Sequence, residues 1–545
     1  MSSRSLGHRA PLLWLVLPLM AGLAAGRAGE FASVPWLLGG ALGAAIGAVI
    51  AAWRMPRWWS PAVVVALFLA GNASYVLHRA RLAVWDGLPP REAELALRVD
   101  RVFPQGDERR AVGLATIVRA EDPVRETAGQ RLYFSLTLRK GGVPPVRSAV
   151  VRAVGLLAPL ARNPPSDSFE GFLAGAGMNF RLTRGIVLRE EHAANAYYRW
   201  CARAAARFKA ALSQGIAAKR PELAGLLRAM MLGETHELTE DQHTLFMQSG
   251  TMHLFAISGL NIAVIAGALQ AIMVLVRVPL WPRFAVGAAL LWLFVDITGA
   301  SPSAVRAFAM AVFFQGAFVL RRPGNPLAAM VASALVVLLV APLQLFSASF
   351  LMSYGIVAAL LVLGLPLGEA WLARWTPWRD VPEITWRWWQ RAGAEVWRWS
   401  ATAVAIGIAT TLVSAITGVQ FFRLLTPGAL VANLGLIPAA MLVTLGGFAS
   451  VVCGLAGWIG GASLCNHASA LVLLGVEWTV RWGVQVKGAF VAAHFSAPWI
   501  GGAALTALMA SLFAGYAGNW RKARGGWWPP FAVVAVALIF GVQFG

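Results

Sequence analysis

The feature that most constrains this chain is a succession of apolar stretches, each about 20 residues long, interrupted once by a long polar region. That length spans the hydrocarbon core of a bilayer, where every backbone N–H and C=O must be satisfied within the chain, so stretches of this kind form helices. Of the 545 residues, 58% are hydrophobic and only 13% are charged, against about a quarter charged in soluble domains. Three stretches open the chain: Pro11–Gly26, Phe31–Trp53 and Trp58–Leu77. Arg4 and Arg9 precede the first, and Arg54 and Arg57 follow the second, so both pairs are expected inside, which puts everything after Leu77 outside the cytoplasm. A signal peptide is the competing reading of the first stretch; two further spans and no clear polar cleavage region argue for an anchor.

Residues 78–195 are the only long polar region. Leu95, Leu97 and Val99 alternate with Ala96 and Arg98, and Leu132, Phe134, Leu136 and Leu138 alternate with Tyr133, Ser135 and Thr137. With Val112–Val118 and Val146–Val154, these period-two runs predict a small β-barrel or sandwich, and Asp167–Arg184 reads as a short helix followed by a last strand. Residues 196–220 carry Arg199, Arg203 and Arg207 on one face and Trp200, Ala204, Phe208 and Leu212 on its neighbour, the pattern of a helix lying in the headgroup plane. Residues 221–545 are a polytopic membrane region. Its candidate spans start near Met252, Phe284, Ser303, Ala328, Phe346, Ala401, Ala429, Ala462, Ile500 and Pro529, with a break or re-entry expected around Gly446–Gly461. The fold class is therefore an α-helical polytopic membrane protein of about 10–12 spans with a small extracytoplasmic β-domain after the third helix. Residues 371–399 hold eight of the 24 Trp, interleaved with Arg374, Arg379, Arg387, Arg391 and Arg398. This reads as an interface helix, with base stacking as the alternative.

Other classes fall away. Three cysteines, Cys201, Cys453 and Cys465, make neither a disulfide framework nor a Cys-based zinc site. No Lys precedes Ser or Thr, so there is no Walker A loop, and no His-x-His-x-Asp-His cluster occurs. No metal and no cofactor are expected. The net charge of +21 suits an anionic partner, either lipid headgroups or nucleic acid.

Polar groups inside apolar spans are expensive and therefore candidates for function. The stretch 231–267 brings Glu234, Glu237, Glu240 and Asp241 up to a span containing His253, Ser258, Gly259 and Asn261. Ser258 and Asn261, three apart, would share one side of a helix, and the Ser-Gly pair would let another backbone approach. Asp296 and Arg306 flank a short turn and would pair to close a hairpin, or Arg306 would face a polyanion path. Ser301-Pro302 is a helix start, with Ser as N-cap and Pro at the first position. Asn433 lies in a span with Pro438, which either kinks that helix or frees a carbonyl as in broken transport helices.

Residues 220–267, RPELAGLLRAMMLGETHELTEDQHTLFMQSGTMHLFAISGLNIAVIAG, together with SPSAVRAFAM at 301–310, PLQLFSASFLMSYGIVAAL at 342–360 and LTPGALVANLGLIPAAML at 425–442, resemble the ComEC family of bacterial natural competence. The resemblance extends to the N-terminal plan of short spans, an OB-type domain and FEGFLAGAGMNFRL leading back to the membrane. It implies an inner-membrane, multi-pass channel that passes single-stranded DNA, with His253, Ser258, Gly259, Asn261, Arg306 and Asn433 along the DNA path and Glu234, Asp296, Pro302 and Pro438 structural or gating. It implies as partners membrane lipids, a DNA receptor outside, a separate cytoplasmic translocase and a separate nuclease, and it allows a homo-oligomer. Two departures stand out. Position 261 is Asn where the family usually has His, and the chain ends at Gly545 without the C-terminal metallo-β-lactamase-like domain of many members, so strand degradation would fall to another protein.

Two rival functions remain at this point. One is a transporter or scaffold for another envelope polyanion or lipid, since OB barrels also bind oligosaccharides. The other is an intramembrane serine hydrolase using Ser258 with His467 or His494, although position 256 is Ala and the Gly-x-Ser-Gly pattern is incomplete.

Overall fold

The computed structural model describes residues 9–29, 31–79, 85, 87–107, 109–139, 142–378, 381–520 and 526–544; Arg4 and Arg379 lie outside the described residues. The first three apolar stretches form α1 (Leu13–Ala28), α2 (Val34–Arg54) and α3 (Trp59–Arg79). Small residues set how closely they cross. A Cβ on Gly22 would stand 2.0 Å from the Phe68 carbonyl oxygen, and one on Gly71 2.4 Å from that of Leu19, so α1 and α3 touch backbone to backbone.

The polar region is a five-stranded barrel: β1 (Arg91–Phe103), β2 (Arg110–Ala120), β3 (Arg131–Thr137), β4 (Val150–Pro159) and β5 (Phe180–His192). The strands close in the order β1-β2-β3-β5-β4, antiparallel except for β3 with β5, an OB-like arrangement. The alternation read from sequence holds: Leu95, Leu97, Val99, Leu132, Phe134 and Leu136 point inward with Phe180 and Leu182. A short helix, α4 (Phe169–Gly175), precedes β5 and is capped by Ser168.

Residues 196–544 build α5 (Ala196–Ser213), α6 (Pro221–Leu232), α7 (Glu240–Gln248), α8 (Gly259–Leu275), α9 (Leu280–Ile297), α10 (Pro302–Val319), α11 (Pro326–Val340), α12 (Ala348–Ala359), α13 (Leu365–Arg374), α14 (Trp388–Phe422), α15 (Ala429–Leu455), α16 (Ile459–Val484), α17 (Pro498–Ala517) and α18 (Pro529–Gly541). A wide π-helical turn, 360–364, joins α12 to α13 without a break. Strands β6 (Leu424–Leu425), β7 (Val491–Phe495) and β8 (Val542–Phe544) form a small sheet. Among the described residues ten helices are long and apolar enough to cross a membrane, and α1, α11 and α18 are shorter apolar helices. Large apolar side chains such as Trp36, Leu275 and Phe540 are exposed on their outer faces, as hydrocarbon contact requires.

The bundle has two apolar cores. One gathers α5–α9 with α15 and α16; the other gathers α1, α11, α12, α14, α17 and α18. Helix α10 stands between them, placing Ala304 in the first core and Met310 against the second.

Helix α5 covers its apolar face with protein: Cys201, Ala204, Phe208 and Leu212 are buried in the first core, where Phe208 stacks on Phe294 at 6.4 Å, while Arg199, Arg203 and Arg207 are exposed. Amphipathicity specifies an apolar face but not whether lipid or protein covers it. Of the break or re-entry expected around Gly446–Gly461, the structure has the break: α15 ends at Leu455 and the chain turns into α16 at Ile459, with Gly447 accommodating Met231. In the Trp-rich segment, residues 371–374 end α13, Glu383–Thr385 form a 3-10 turn, and Trp388–Trp399 form the first turns of α14.

The barrel meets one face of the bundle. Asp167 pairs with Arg423 after α14 at 2.6 Å, Ser166 accepts from Gln420 at 2.7 Å, and Gly175 abuts Ser347 before α12. From Ser347 the helix α12–α13 runs 27 residues to Arg374, about 40 Å at 1.5 Å per residue. The Trp/Arg segment therefore lies on the face away from the barrel.

Candidate functional site

Below the barrel, three helices begin side by side, each capped by a serine. Ser258 Oγ accepts the Asn261 N–H at the start of α8, Ser301 Oγ that of Ala304 at the start of α10, and Ser347 Oγ that of Phe350 at the start of α12. Ser303 Oγ donates to the Ile257 carbonyl at 2.6 Å, which fixes α10 against the entry to α8. Helix N-termini carry partial positive charge, and three together make this mouth electropositive.

One turn inside the mouth, Arg306 is 1% exposed. Its Nη2 donates to Ser349 O at 2.7 Å and to Ser349 Oγ at 2.6 Å, and its Nη1 donates to Gln344 Oε1 at 3.2 Å; Nε is buried with no acceptor. Among the described residues no carboxylate pairs with it. A buried cation held only by neutral acceptors keeps most of its field, at a cost in desolvation that packing alone does not require.

The expected Asp296–Arg306 pair is not formed. Asp296 caps the barrel side of α9, where its Oδ1 accepts from Arg147 Nη1 at 2.9 Å and its Oδ2 from the Tyr197 hydroxyl at 2.8 Å. Arg147 comes from the barrel, on the loop before β4, so the partner of Asp296 lies across the domain seam. Pro302 is the first residue of α10, as its sequence context predicts.

The other candidates disperse. Asn261 is buried and ties three helices: Nδ2 donates to Met230 O of α6 at 3.0 Å, and Oδ1 accepts from Thr444 Oγ1 of α15 at 3.3 Å. An amide suits this place because it donates and accepts at once. His253 sits in a 3-10 turn (Met252–Leu254) ahead of α8, exposed, with Nδ1 at 3.0 Å from Gly250 O, so it does not share a helical face with Ser258 and Asn261. Gly259 is not needed for close approach, since a Cβ there would meet Ala307 Cβ at an ordinary 3.7 Å. Asn433 lies in α15 with Oδ1 buried and unpartnered, and the helix passes Pro438 without a break. Glu234 and Glu237 close on α5, with Lys209 Nζ at 3.1 and 2.6 Å and Arg228 also on Glu237. Burial pushes the Glu234 carboxyl up; burial would raise Glu237 too, but Lys209 and Arg228 hold it below the usual range. The serine-hydrolase pairing is absent: Ser258 Oγ is used as a cap, and His467 Nδ1 faces Ser463 of its own helix.

Sequence reasoning missed Gln344, Ser349, Arg147 and an aromatic shelf on the barrel beside the mouth. There Phe169 and Phe172 are exposed; Tyr133 meets Phe169 edge-on at 5.1 Å and Phe103 lies 6.5 Å from Phe172. A polar Gln between Leu343 and Leu345 was the signal for the first; the shelf draws on three separate segments and left none.

These features define a multi-pass helical membrane protein with an OB-like barrel beside three serine-capped helix starts and a buried arginine. The family model for Competence protein matches residues 230–521, more than half the chain, and the protein belongs to that family. It is similar to ComE operon protein 3 of Bacillus subtilis (strain 168), 30% identical over 143 residues, which cover 26% of this chain and 18% of that relative. No solved structure matches. The family match starts inside α6, leaving the barrel outside it.

Proposed function

We propose that this protein passes single-stranded DNA across the cytoplasmic membrane in natural transformation, with the barrel on the outer side. The observation that carries the reading is Arg306, buried without a carboxylate beneath three serine-capped helix starts, at the seam between the two apolar cores. Such a mouth offers phosphate the counter-charge that hydrocarbon lacks. The aromatic shelf supports arrival of unpaired bases, because stacking is tolerant of sequence. Membership of the competence family favours DNA over other polyanions. The orientation is supported by basic residues at the bundle ends away from the barrel: Arg54, Arg57, Arg277, Arg321, Arg322, Arg374 and Arg387.

In this reading a strand is received outside, crosses along α10 and is drawn in by a separate cytoplasmic translocase. A separate nuclease removes the complementary strand, and a receptor outside delivers the duplex. Contacts along the path are weak and numerous, since a strand held tightly at many phosphates would not move. The test is entry of labelled DNA into a nuclease-protected cytoplasmic pool, in a deletion strain and its complemented parent. Loss in the deletion with recovery on complementation is expected. Equal entry in both would retire the DNA reading in favour of transport of another envelope polyanion or lipid.

A further inference from the structure

Away from the Asp167–Arg423 pair, the seam between barrel and bundle holds Arg147 and Asp296, with Arg101 on the strand beside them. Arg147 pairs with Asp296, whose side chain is 2% exposed, while the Arg147 side chain is 37% exposed and open to a ligand from outside. Its guanidinium lies 4.6 Å from the centre of the Tyr198 ring, which holds it flat at the seam. On the neighbouring strand β1, Arg101 has no carboxylate partner among the described residues and rests on Phe103 at 5.2 Å. Burial, and then the nearby charge of Arg147, pull the Arg101 pKa down to about 10, which places the two cations in one field. The backbone brings them together: the Val99 carbonyl accepts the Ser148 N–H at 2.8 Å.

We propose that Arg101 and Arg147 form a phosphodiester-binding site at this seam, and that a phosphate seated there draws Arg147 off Asp296 and loosens the barrel from the bundle. The proposal rests on the reading that a strand arrives at the barrel. Three features suit an exchange rather than a fixed staple. Arg101 has no carboxylate partner among the described residues, so a positive charge beside Arg147 is left to spare for a phosphate. Asp296 keeps the Tyr197 hydroxyl when Arg147 leaves, so its burial is not left without a donor. The adjoining tie is a hydrogen bond from the Asn195 N–H to Ser148 Oγ at 3.0 Å, and Ser148 sits at φ 72°, a left-handed conformation that residues other than glycine rarely adopt. The output is direct, because Asp296 ends α9 and the next helix, α10, carries Arg306.

The test uses the purified full chain in neutral detergent with a labelled oligothymidylate, read by fluorescence anisotropy over a salt series. Arg101→Met and Arg147→Met should each weaken binding about tenfold and lower the salt slope by about one. Asp296→Asn should tighten it several-fold, because the competing carboxylate is gone. A purely structural tie predicts the opposite sign for Asp296→Asn, or no change. A second readout does not depend on the arginine variants folding. Ser148→Cys with Asn195→Cys, in a chain whose three native cysteines are replaced, should form a disulfide readily when empty and at least about threefold more slowly with oligothymidylate present. Wild-type binding with no gain in Asp296→Asn and no slowing of the disulfide would overturn the seam site while leaving DNA transport standing. The same slowing by phosphatidylglycerol alone, with none from the oligonucleotide, would make this a lipid-headgroup site and overturn the strand proposal. No oligonucleotide binding by any form, together with equal DNA entry in the deletion strain, would remove both readings.

Discussion

Two arginines, one in each half of the molecule, show how differently the halves are built. On the barrel, Arg152 is surrounded by Glu94, Glu121 and Glu191, and these carboxylates hold its pKa above the ordinary value. In the bundle, Arg306 has Gln344 and Ser349 and, among the described residues, no acid. The barrel follows the rule for water: Leu97, Phe134 and Leu182 are inside, and charged pairs such as Arg152 with Glu94 and Arg181 with Glu170 lie at the surface. The bundle reverses it, exposing Trp36 and Leu275 while burying Asn261, Ser333, Thr444 and Asn466. Because hydrocarbon offers no hydrogen bonds, those buried groups find partners in protein, as Asn466 does with the Ala211 and Gln214 carbonyls and Ser333 with Tyr354. Against that background Arg306 is a buried cation with only neutral acceptors, and that is the ground of the role proposed for it.

The contrast can be broken at several points. The largest effect is expected in the barrel core, where Phe134→Ala should cost about 3–5 kcal/mol, read as a lowered unfolding midpoint of the purified chain. An effect below 1 kcal/mol would mean that the barrel is not packed as described. Next is Arg306→Met, which keeps volume and removes charge. DNA entry should fall about a hundredfold, equivalent to about 2.8 kcal/mol, while thermal stability holds or rises, because a buried charge without a counterion is replaced by an apolar group. Parallel loss of stability and uptake would reduce Arg306 to a structural role.

Asn261→Ala removes two ties between helices and should cost about 1 kcal/mol, since such bonds in membranes average about 0.6 kcal/mol each. Asn261→His, the residue usual in the family, should lose less, because an imidazole also donates and accepts; a chain less stable than the Ala variant would contradict this. The smallest effect belongs to Arg423→Ala. That arginine's side chain is 71% exposed, and an ion pair at such a site is worth about 0–1 kcal/mol. A loss above 2 kcal/mol would show that the barrel is held mainly at Asp167 and not at Asp296.

Much of this was legible from the residues alone. The three N-terminal apolar helices, the period-two strands, the short helix before the last strand and the Ser301-Pro302 helix start are consequences of local periodicity and capping, which act within a few residues and survive any tertiary arrangement. Periodicity does not say what covers a face: the apolar side of α5 packs on Phe294 and the rest of the first core. Spacing did not say who pairs with whom. Asp296 and Arg306 are ten positions apart across one turn, yet Asp296 turns out to the seam and meets Arg147, 149 positions earlier, while Arg306 turns into the bundle and meets Ser349. The sequence by itself determined the elements and the two solvents they face, because hydropathy and capping are local. Only the tertiary structure decided the partners of the buried charges, because a buried polar group is satisfied by whatever the packing brings within about 3 Å, and that depends on the whole chain at once.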